Sequence, residues 1–349
     1  MTSRIDPPRR LPWDGRRDPA VDLLRGAAVI FMIIAHVRVW APVPPGAASL
    51  VIGLVNTVAS PLFAVVMGVS AGIVLTRTRH RVAGAAFVIR NVVRGIILVL
   101  IGVGLESLDT FVAIVLMSLG ATLAVSAPLA LLPLPVLAAT ALLTFVLGPP
   151  VNVAVRARVD AGRLYSDAWG DQVLQWFVLS PHYRVVSLLP FVLIGVVLAR
   201  TGLRRSGAWA MVAAGLVSGG LLVALELGGF LADGAPRGGW VDLLIDLALT
   251  GCVFGVIVLF ARSPRMSGVV TALEPVRAVG ATALTAYVLH VVLIALVIAS
   301  VDTLSMGSLW PLPVVGVFVA TVLACWVWWR VIGRGPVERV MALATDPIG

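Results

Sequence analysis

The stretch AVDLLRGAAVIFMIIAHVRVW, residues 20–40, has the length and apolar character of a membrane span, yet it carries Asp22, Arg25 and His36. At ~100° and ~1.5 Å per residue, the three side chains fall on one helix face, with His36 about 16 Å along the axis from Arg25. Ionisable groups inside a span are costly and usually face a protein interior or a wet cavity. The stretch therefore predicts an ion pair near one membrane surface and a histidine towards the other. A chemical role is favoured over simple neutralisation of Asp22 by Arg25.

The composition of the whole chain requires a polytopic membrane protein. Of its 349 residues, 60% are hydrophobic and 12% are charged, and the mean hydropathy is +1.04. A soluble domain cannot bury that much apolar surface. The net charge of +9 comes from arginines in short clusters between apolar runs, which is what orientation in a bilayer requires, so no nucleic-acid partner is expected. Cys252 and Cys325 lie inside apolar runs and indicate neither a metal site nor a disulfide framework.

Apolar runs predict an all-α bundle of about ten transmembrane helices. They cover residues 20–40, 48–75, 86–106, 109–127, 129–148, 184–200, 207–229, 241–262, 279–300 and 311–333. Arginine clusters alternate between successive connections, and the positive-inside rule then places both termini in the cytoplasm. The predicted division is a cytoplasmic segment 1–19, a transmembrane domain 20–333 and a cytoplasmic tail 334–349.

Residues 149–183 form the only long connection in this topology, on the predicted outer side. Its three arginines break the alternation, but three aspartates accompany them. Tyr165, Trp169 and Trp176 argue against plain disorder. Two interpretations stay open: an outer lid or acceptor platform, or an interfacial helix anchored by tryptophan.

Three histidines are candidates for a general base, because the reference pKa of ~6.5 lies near working pH. His36 lies in the predicted outer half of the first helix and is the leading candidate. His182 begins the approach to the sixth helix, and His290 lies near the middle of the ninth, where a packing role is an open alternative. Asp22 joins them as a catalytic candidate. The fourth histidine, His80, lies among cytoplasmic arginines and is expected at the surface.

The predicted inner ends of the first three helices are basic. Arg90 and Arg94 are one helical turn apart, so both guanidinium groups can face one phosphate. Arg25 and Arg77 are predicted at the same membrane surface. Together the four predict a cytoplasmic site for an anionic cofactor, with ordinary anchoring and lipid-headgroup contact as the alternative for Arg77.

The run RDPAVDLLRGAAVIFMIIAHV resembles the first-helix signature of transmembrane acyltransferases. That superfamily joins the acyltransferase-3 proteins to heparan-α-glucosaminide N-acetyltransferase and its uncharacterised bacterial relatives. The matching residues are Asp22, Arg25, Gly26 and His36. Further segments that look similar are SPLFAVVMGVSAG (60–72), VGATALTAYVLH (279–290) and GPVERVMA (335–342), the last two closest to the bacterial relatives.

This resemblance implies a reaction. Acyl-CoA, commonly acetyl-CoA, is expected as co-substrate at the cytoplasmic face, and an acceptor hydroxyl or amine on a glycan or glycolipid is expected from outside. His36 would activate the acceptor, as the first-helix histidine of the acyltransferase-3 branch is thought to do. The essential histidine of the heparan enzyme lies in an outer loop, and the corresponding residues 41–48 contain none.

A second class stays open on the residues alone, a transporter or flippase for a lipid-linked or small anionic substrate. Intramembrane Arg, Asp and His also mark substrate and proton pathways.

The chain has no lysine and is rich in Ala, Val, Gly and Pro, which indicates a bacterial plasma-membrane protein in contact with membrane lipids. The sequence does not decide between a monomer and a homodimer.

Overall fold

The computed structural model describes residues 17–42, 45–78, 84–160, 168–180, 182–230, 238–300 and 310–348. These residues form fourteen α-helices and no β-strand. The helices are α1 (Pro19–Val37), α2 (Ala47–Thr78), α3 (Gly84–Glu106), α4 (Leu116–Leu129), α5 (Leu134–Asp160), α6 (Ala168–Leu174), α7 (Val185–Arg200), α8 (Arg205–Leu227), α9 (Trp240–Ala261), α10 (Ser267–Ala272), α11 (Glu274–Ala281), α12 (Ala283–Ser300), α13 (Pro311–Val331) and α14 (Pro336–Thr345).

The predicted all-α polytopic membrane protein is confirmed. Among the described residues, eight helices are long and apolar enough to cross a membrane: α1, α2, α3, α5, α8, α9, α12 and α13. The other two predicted spans, α4 and α7, are apolar but only 14 and 16 residues long, below the ~20 that cross a hydrocarbon core. The inside position of both termini stays a prediction.

Helix α1 lies at the centre of the bundle. In its most apolar window 72% of the residues are buried, against 22% in each of α3, α5, α8 and α13. Its first turn is fixed by Asp18, whose carboxylate accepts a hydrogen bond from the Ala20 amide at 3.0 Å, and by Pro19 at the first helical position. The stretch singled out from the sequence therefore forms a buried helix, against which α2, α9, α11, α12 and α13 pack.

Two glycines allow α1 and α11 to cross in backbone contact. A Cβ on Gly26 would overlap the carbonyl of Val276, and one on Gly280 would overlap the carbonyl of Asp22. Any side chain at either position would force the helices apart. This crossing joins the first-helix segment to the segment 279–290, both of which were quoted for the family resemblance.

The predicted single helix 279–300 is wrong in one respect, because it is broken at Thr282 into α11 and α12. The carboxylate of Glu338, on α14, accepts hydrogen bonds from the amides of Leu284 at 2.7 Å and Thr285 at 3.1 Å. These amides belong to the first turn of α12, where intrahelical partners are lacking. Glu338 thus caps α12 from another helix and allows α12 to start as a separate helix inside the bundle.

The chain before α4 also differs from the prediction. Residues 109–115 were predicted as the start of a helix, but they are not helical, and α4 begins only at Leu116. Asp109 has a positive φ of 51°, which ends the turn after α3. The amide of Val115 donates to the Tyr287 hydroxyl at 3.2 Å. This contact holds the irregular segment against α12.

The connection 149–183, predicted on the outer side, and the predicted C-terminal tail contain more structure than the sequence indicated. Helix α5 continues to Asp160, and α6 with a following π-turn covers 168–179. Residues 334–349 were predicted as a tail, but α14 packs against α12 and α3. Residues 161–167, which include Tyr165, and nearly all of the N-terminal segment lie outside the described residues.

Candidate functional site

Two cavities lie towards opposite ends of α1, and α2 contributes side chains to both. The first, of about 200 Å³, is called the arginine cavity and is lined by Arg25, Arg94, Glu338 and mainly apolar side chains of α2, α3 and α4. The second, of about 430 Å³, is called the histidine cavity. Its polar lining includes His36, His182, Arg184, Asp242 and Asp246.

A thin layer of side chains separates the cavities. The Nδ1 atom of His36 lies 3.0 Å from Nε2 of His290, and the two rings are inclined by only 10°. The Tyr287 ring meets the His290 ring edge-on, with 5.1 Å between centroids, and Tyr287 lines the arginine cavity. His290 is fully buried, whereas His36 is 8% exposed and lines the histidine cavity. The layer is therefore a chain of three side chains from one cavity to the other.

Two of the four predicted anion-binding arginines line the arginine cavity. Arg25 donates to the Ser70 hydroxyl at 2.5 Å, which fixes the guanidinium against α2. Nε of Arg94 is buried and has no hydrogen-bond partner among the described residues. The cavity thus combines two guanidinium groups with an apolar wall.

The other two predicted arginines lie outside this cavity. Arg90 forms an ion pair with Asp346 at 2.8 Å, just beyond the end of α14. Arg77 is exposed near the end of α2. Arg90 and Arg94 therefore do not act as one pair, although they are one turn apart. For Arg77 the headgroup-contact interpretation fits its position.

The predicted ion pair of Asp22 and Arg25 is wrong. Asp22 accepts two hydrogen bonds from Arg17, at 3.2 Å from Nε and 3.1 Å from the terminal nitrogen. Asp22 is buried in the first turn of α1, and His36 is in the last turn. The structure therefore separates Asp22 from the histidines and gives it a part in the start of α1, where a carboxylate is favourable to the helix dipole.

The histidine cavity has a carboxylate side that the sequence interpretation missed. Asp242 and Asp246 are one turn apart on α9 and both line the cavity. Asp242 accepts a hydrogen bond from the Gly238 amide at 2.6 Å. The signal was present in WVDLLIDLALT, where two carboxylates follow each other at i, i+4 at the start of an apolar run.

His182 lies on the rim of this cavity rather than in its floor. It is exposed and stands beside Tyr183, whose carbonyl accepts from the Ser118 hydroxyl at 3.0 Å. Burial raises the pKa of Tyr183 to about 12, so its phenol stays protonated. His182 therefore lies closer to the solvent than His36 does. His80 lies outside the described residues.

A smaller cavity of about 220 Å³ adjoins the histidine cavity. It is lined by Gln172, Gln175 and Trp176, and the two share His182 and Tyr183. The indole Nε1 of Trp176 is buried without a hydrogen-bond partner among the described residues. Trp176 is thus a cavity-lining side chain, and both interpretations of 149–183, an outer lid or acceptor platform and an interfacial helix anchored by tryptophan, stay predictions.

Part of the chain matches the model of a known protein family. Residues 196–346 match a family model described as Protein of unknown function (DUF418). The DUF418 match begins at the end of α7 and runs through α14, so it includes His290 and Glu338 but not His36, Arg25 or Arg94. It covers less than half of the chain. No curated protein matches the chain.

Proposed function

We propose that the protein is an integral membrane acyltransferase. It moves an acyl group, in the simplest case acetyl, from acyl-CoA in the arginine cavity to a hydroxyl or amine of an acceptor in the histidine cavity. A glycan or glycolipid acceptor fits the polar lining of the latter. The observation that carries the proposal is the His36–His290–Tyr287 layer, because it sets a histidine between a cationic cavity and a polar one.

The arginine cavity fits the reactive end of acyl-CoA. Its apolar walls suit an acyl chain and the nearby pantetheine arm, and Arg25 and Arg94 supply the charge-assisted donors that anionic groups require. Its volume of about 200 Å³ is too small for the whole molecule, since sites for drug-sized ligands span ~300–1,000 Å³. The nucleotide would remain at the mouth of the cavity.

The spacing of the layer suits a transfer between cavities. Tyr287 and His290 are three residues apart on α12, or ~4.5 Å along the helix axis. A thioester beside Tyr287 would therefore lie within one helical turn of the histidine pair. Once the acyl carbon passes the layer and comes within ~3–3.5 Å of the acceptor, this positioning can supply up to ~7–11 kcal/mol of the barrier reduction.

His36 supplies the general base in this scheme. It accepts the O–H or N–H proton of the acceptor while the new C–O or C–N bond forms and the C–S bond breaks. The sulfur leaves as a thiolate on the arginine-cavity side and takes a proton from water there to give free CoA, while His36 returns its proton to water in the histidine cavity. General-base catalysis contributes typically ~10²–10⁴-fold.

Thiol release tests the proposal directly. Purified protein in lipid vesicles would be given acetyl-CoA together with extracted envelope glycolipids, and free CoA would be followed with a thiol reagent. We expect release that depends on the protein and on His36, with radiolabelled acetyl appearing in the lipid or glycan fraction. A folded protein that neither binds acetyl-CoA nor releases the thiol contradicts the proposal.

One observation favours a second candidate, a transporter or flippase. The break at Thr282 places the start of α12 at the arginine cavity, and interrupted helices often form transporter binding sites. Accumulation of an intact anionic or lipid-linked substrate inside vesicles, without thiol release, would support this alternative.

A further inference from the structure

His36 and His290 form a hydrogen-bonded pair, and the acceptor at the buried end of this pair decides which ring nitrogens carry a hydrogen. Nδ1 of His290 lies 3.1 Å from the carbonyl oxygen of Ala286, one turn earlier on α12. A carbonyl only accepts, so Nδ1 of His290 carries the hydrogen of this bond. In a neutral ring the other nitrogen, Nε2, then has the lone pair.

The direction of the hydrogen bond between His290 and His36 is fixed in the same way. Nε2 of His290 and Nδ1 of His36 are 3.0 Å apart, and one of them must donate. Because Nε2 of neutral His290 only accepts, Nδ1 of His36 carries the hydrogen. If the bond to Ala286 is kept, the reverse order requires a cationic His290, fully buried and with no carboxylate in hydrogen-bond contact in the part of the chain that the structure describes, which is a costly state.

The lone pair of His36 is left on Nε2. This nitrogen has no hydrogen-bond partner among the described residues, and His36 lines the histidine cavity. In water the two neutral tautomers of a histidine interconvert, and only the one with a bare Nε2 can accept a proton at this atom.

We infer that His290 is a positioning residue that locks His36 in the tautomer whose Nε2 accepts the acceptor's proton. This inference rests on the proposed function for its catalytic consequence, but the tautomer itself does not. It also gives His290 a different role from the base or packing residue predicted from the sequence. The direction of the lock is set by the Ala286 carbonyl, on the side of His290 away from His36.

The tautomer is measured by ¹⁵N NMR of histidine-labelled protein, because protonated and bare ring nitrogens resonate far apart. Replacing His80 and His182 by asparagine leaves only the pair to assign. We expect His36 to show a protonated Nδ1 and a bare Nε2 as a single form. A protonated Nε2 with a bare Nδ1, or a mixture of both, overturns the inference.

Two substitutions of His290 separate positioning from packing. In His290→Gln the amide oxygen can stand where Nε2 stood and accept from His36, whereas His290→Leu fills the space without an acceptor. We expect Gln to preserve the His36 tautomer and Leu to give a mixture. An unchanged tautomer in a folded Leu variant contradicts the lock.

The kinetic arm uses release of CoA from acetyl-CoA. The Leu variant should lose ~10-fold or more in kcat with an unchanged KM for acetyl-CoA, and the Gln variant should stay within a few-fold of wild type. If the NMR result holds but Leu leaves kcat unchanged, the positioning role is wrong. If no variant, nor the wild type, releases CoA, the proposed acyl transfer fails while the NMR assignment stands.

Discussion

The arginine cavity and the histidine cavity lie along the same helices but are built from different kinds of structure. The arginine cavity is walled by helix interiors, with apolar side chains of α2, α3 and α4 around two guanidinium groups. The histidine cavity is lined by α1, α2 and α9 and is closed in part by irregular segments, with Phe111 and Ala113 before α4 and residues 182–184 before α7. The comparison suggests a division of labour, in which one end is suited to a ligand with an apolar arm and the other to a polar one.

The sharpest way to break this comparison is to remove His36, the proposed base at the boundary between the two cavities. His36→Ala should lower acyl transfer by ~10²-fold or more, while acetyl-CoA binding in the arginine cavity stays near the wild-type value. Glutamine at the same position restores a hydrogen bond but cannot take up the proton, so it should be equally inactive. Both are measured by thiol release and by equilibrium binding.

His182→Ala is the matched control, because His182 lines the same cavity at its rim. We expect a weaker effect, confined to acceptor KM. If His36→Gln keeps full transfer, His36 only orients or packs, and the assignment of the base returns to His182 or His290.

The second test disturbs the arginine cavity through its backbone. Gly280→Ala adds one Cβ against the carbonyl of Asp22, where α1 and α11 touch. Overpacking of this kind costs about 1–3 kcal/mol, so thermal unfolding in detergent should shift down by several degrees. Gly316→Ala is the control, because a Cβ there meets nothing within 4 Å and alanine favours the helix. Equal melting temperatures for the two variants would argue against the close crossing.

A smaller effect distinguishes the two arginines of α3. Arg94→Ala removes a guanidinium that lines the arginine cavity, and a hydrogen bond to a charged group is worth about 1.5–3 kcal/mol, so the Kd for acetyl-CoA should rise ~10-fold or more. Arg90→Ala removes a charge that is paired with Asp346 and should change Kd only slightly. Titration calorimetry compares them. Equal losses would return both residues to the single phosphate clamp predicted from their spacing.

The last test assigns the cavities to compartments and should not change activity. In a background without Cys252 and Cys325, cysteines replace Leu108, three residues before Phe111 of the histidine cavity, and Ser206, at the start of α8. Both positions are exposed. A membrane-impermeant maleimide should label Leu108→Cys from outside intact cells and Ser206→Cys only after lysis. Labelling of both from one side would overturn the predicted orientation.

The sequence was sufficient for the parts of the fold that depend on helix periodicity. The span 20–40, its charged face and the interior position of His36 follow from composition and a 3.6-residue repeat, and the structure has α1 at the centre. The bounds of the other predicted spans agree with the structure within a few residues, apart from α4, α5 and the span 279–300, which is broken at Thr282.

The remaining features depend on contacts between distant segments, which a single sequence does not reveal. The pairing of His36 with His290 joins residues 254 apart, and that of Glu338 with α12 joins residues 54 apart. The choice of Arg17 rather than Arg25 as the partner of Asp22 depends on where the chain before α1 turns. No helix-breaking residue at Thr282 predicts the break between α11 and α12. The cap that permits this break, Glu338, lies on another helix.

The Glu338 cap imposes an order on the folding of the protein as it is synthesised. The amides of Leu284 and Thr285 are synthesised 54 and 53 residues before the carboxylate that they bind, and α13 is made in between. Unpaired amides inside a bilayer cost several kcal/mol each. Until α14 folds back, the first amides of α12 therefore lack their carboxylate acceptor while the helix is inserted. A chain released after α13 would carry every membrane-crossing helix of the described structure, and its arginine cavity would still lack a wall.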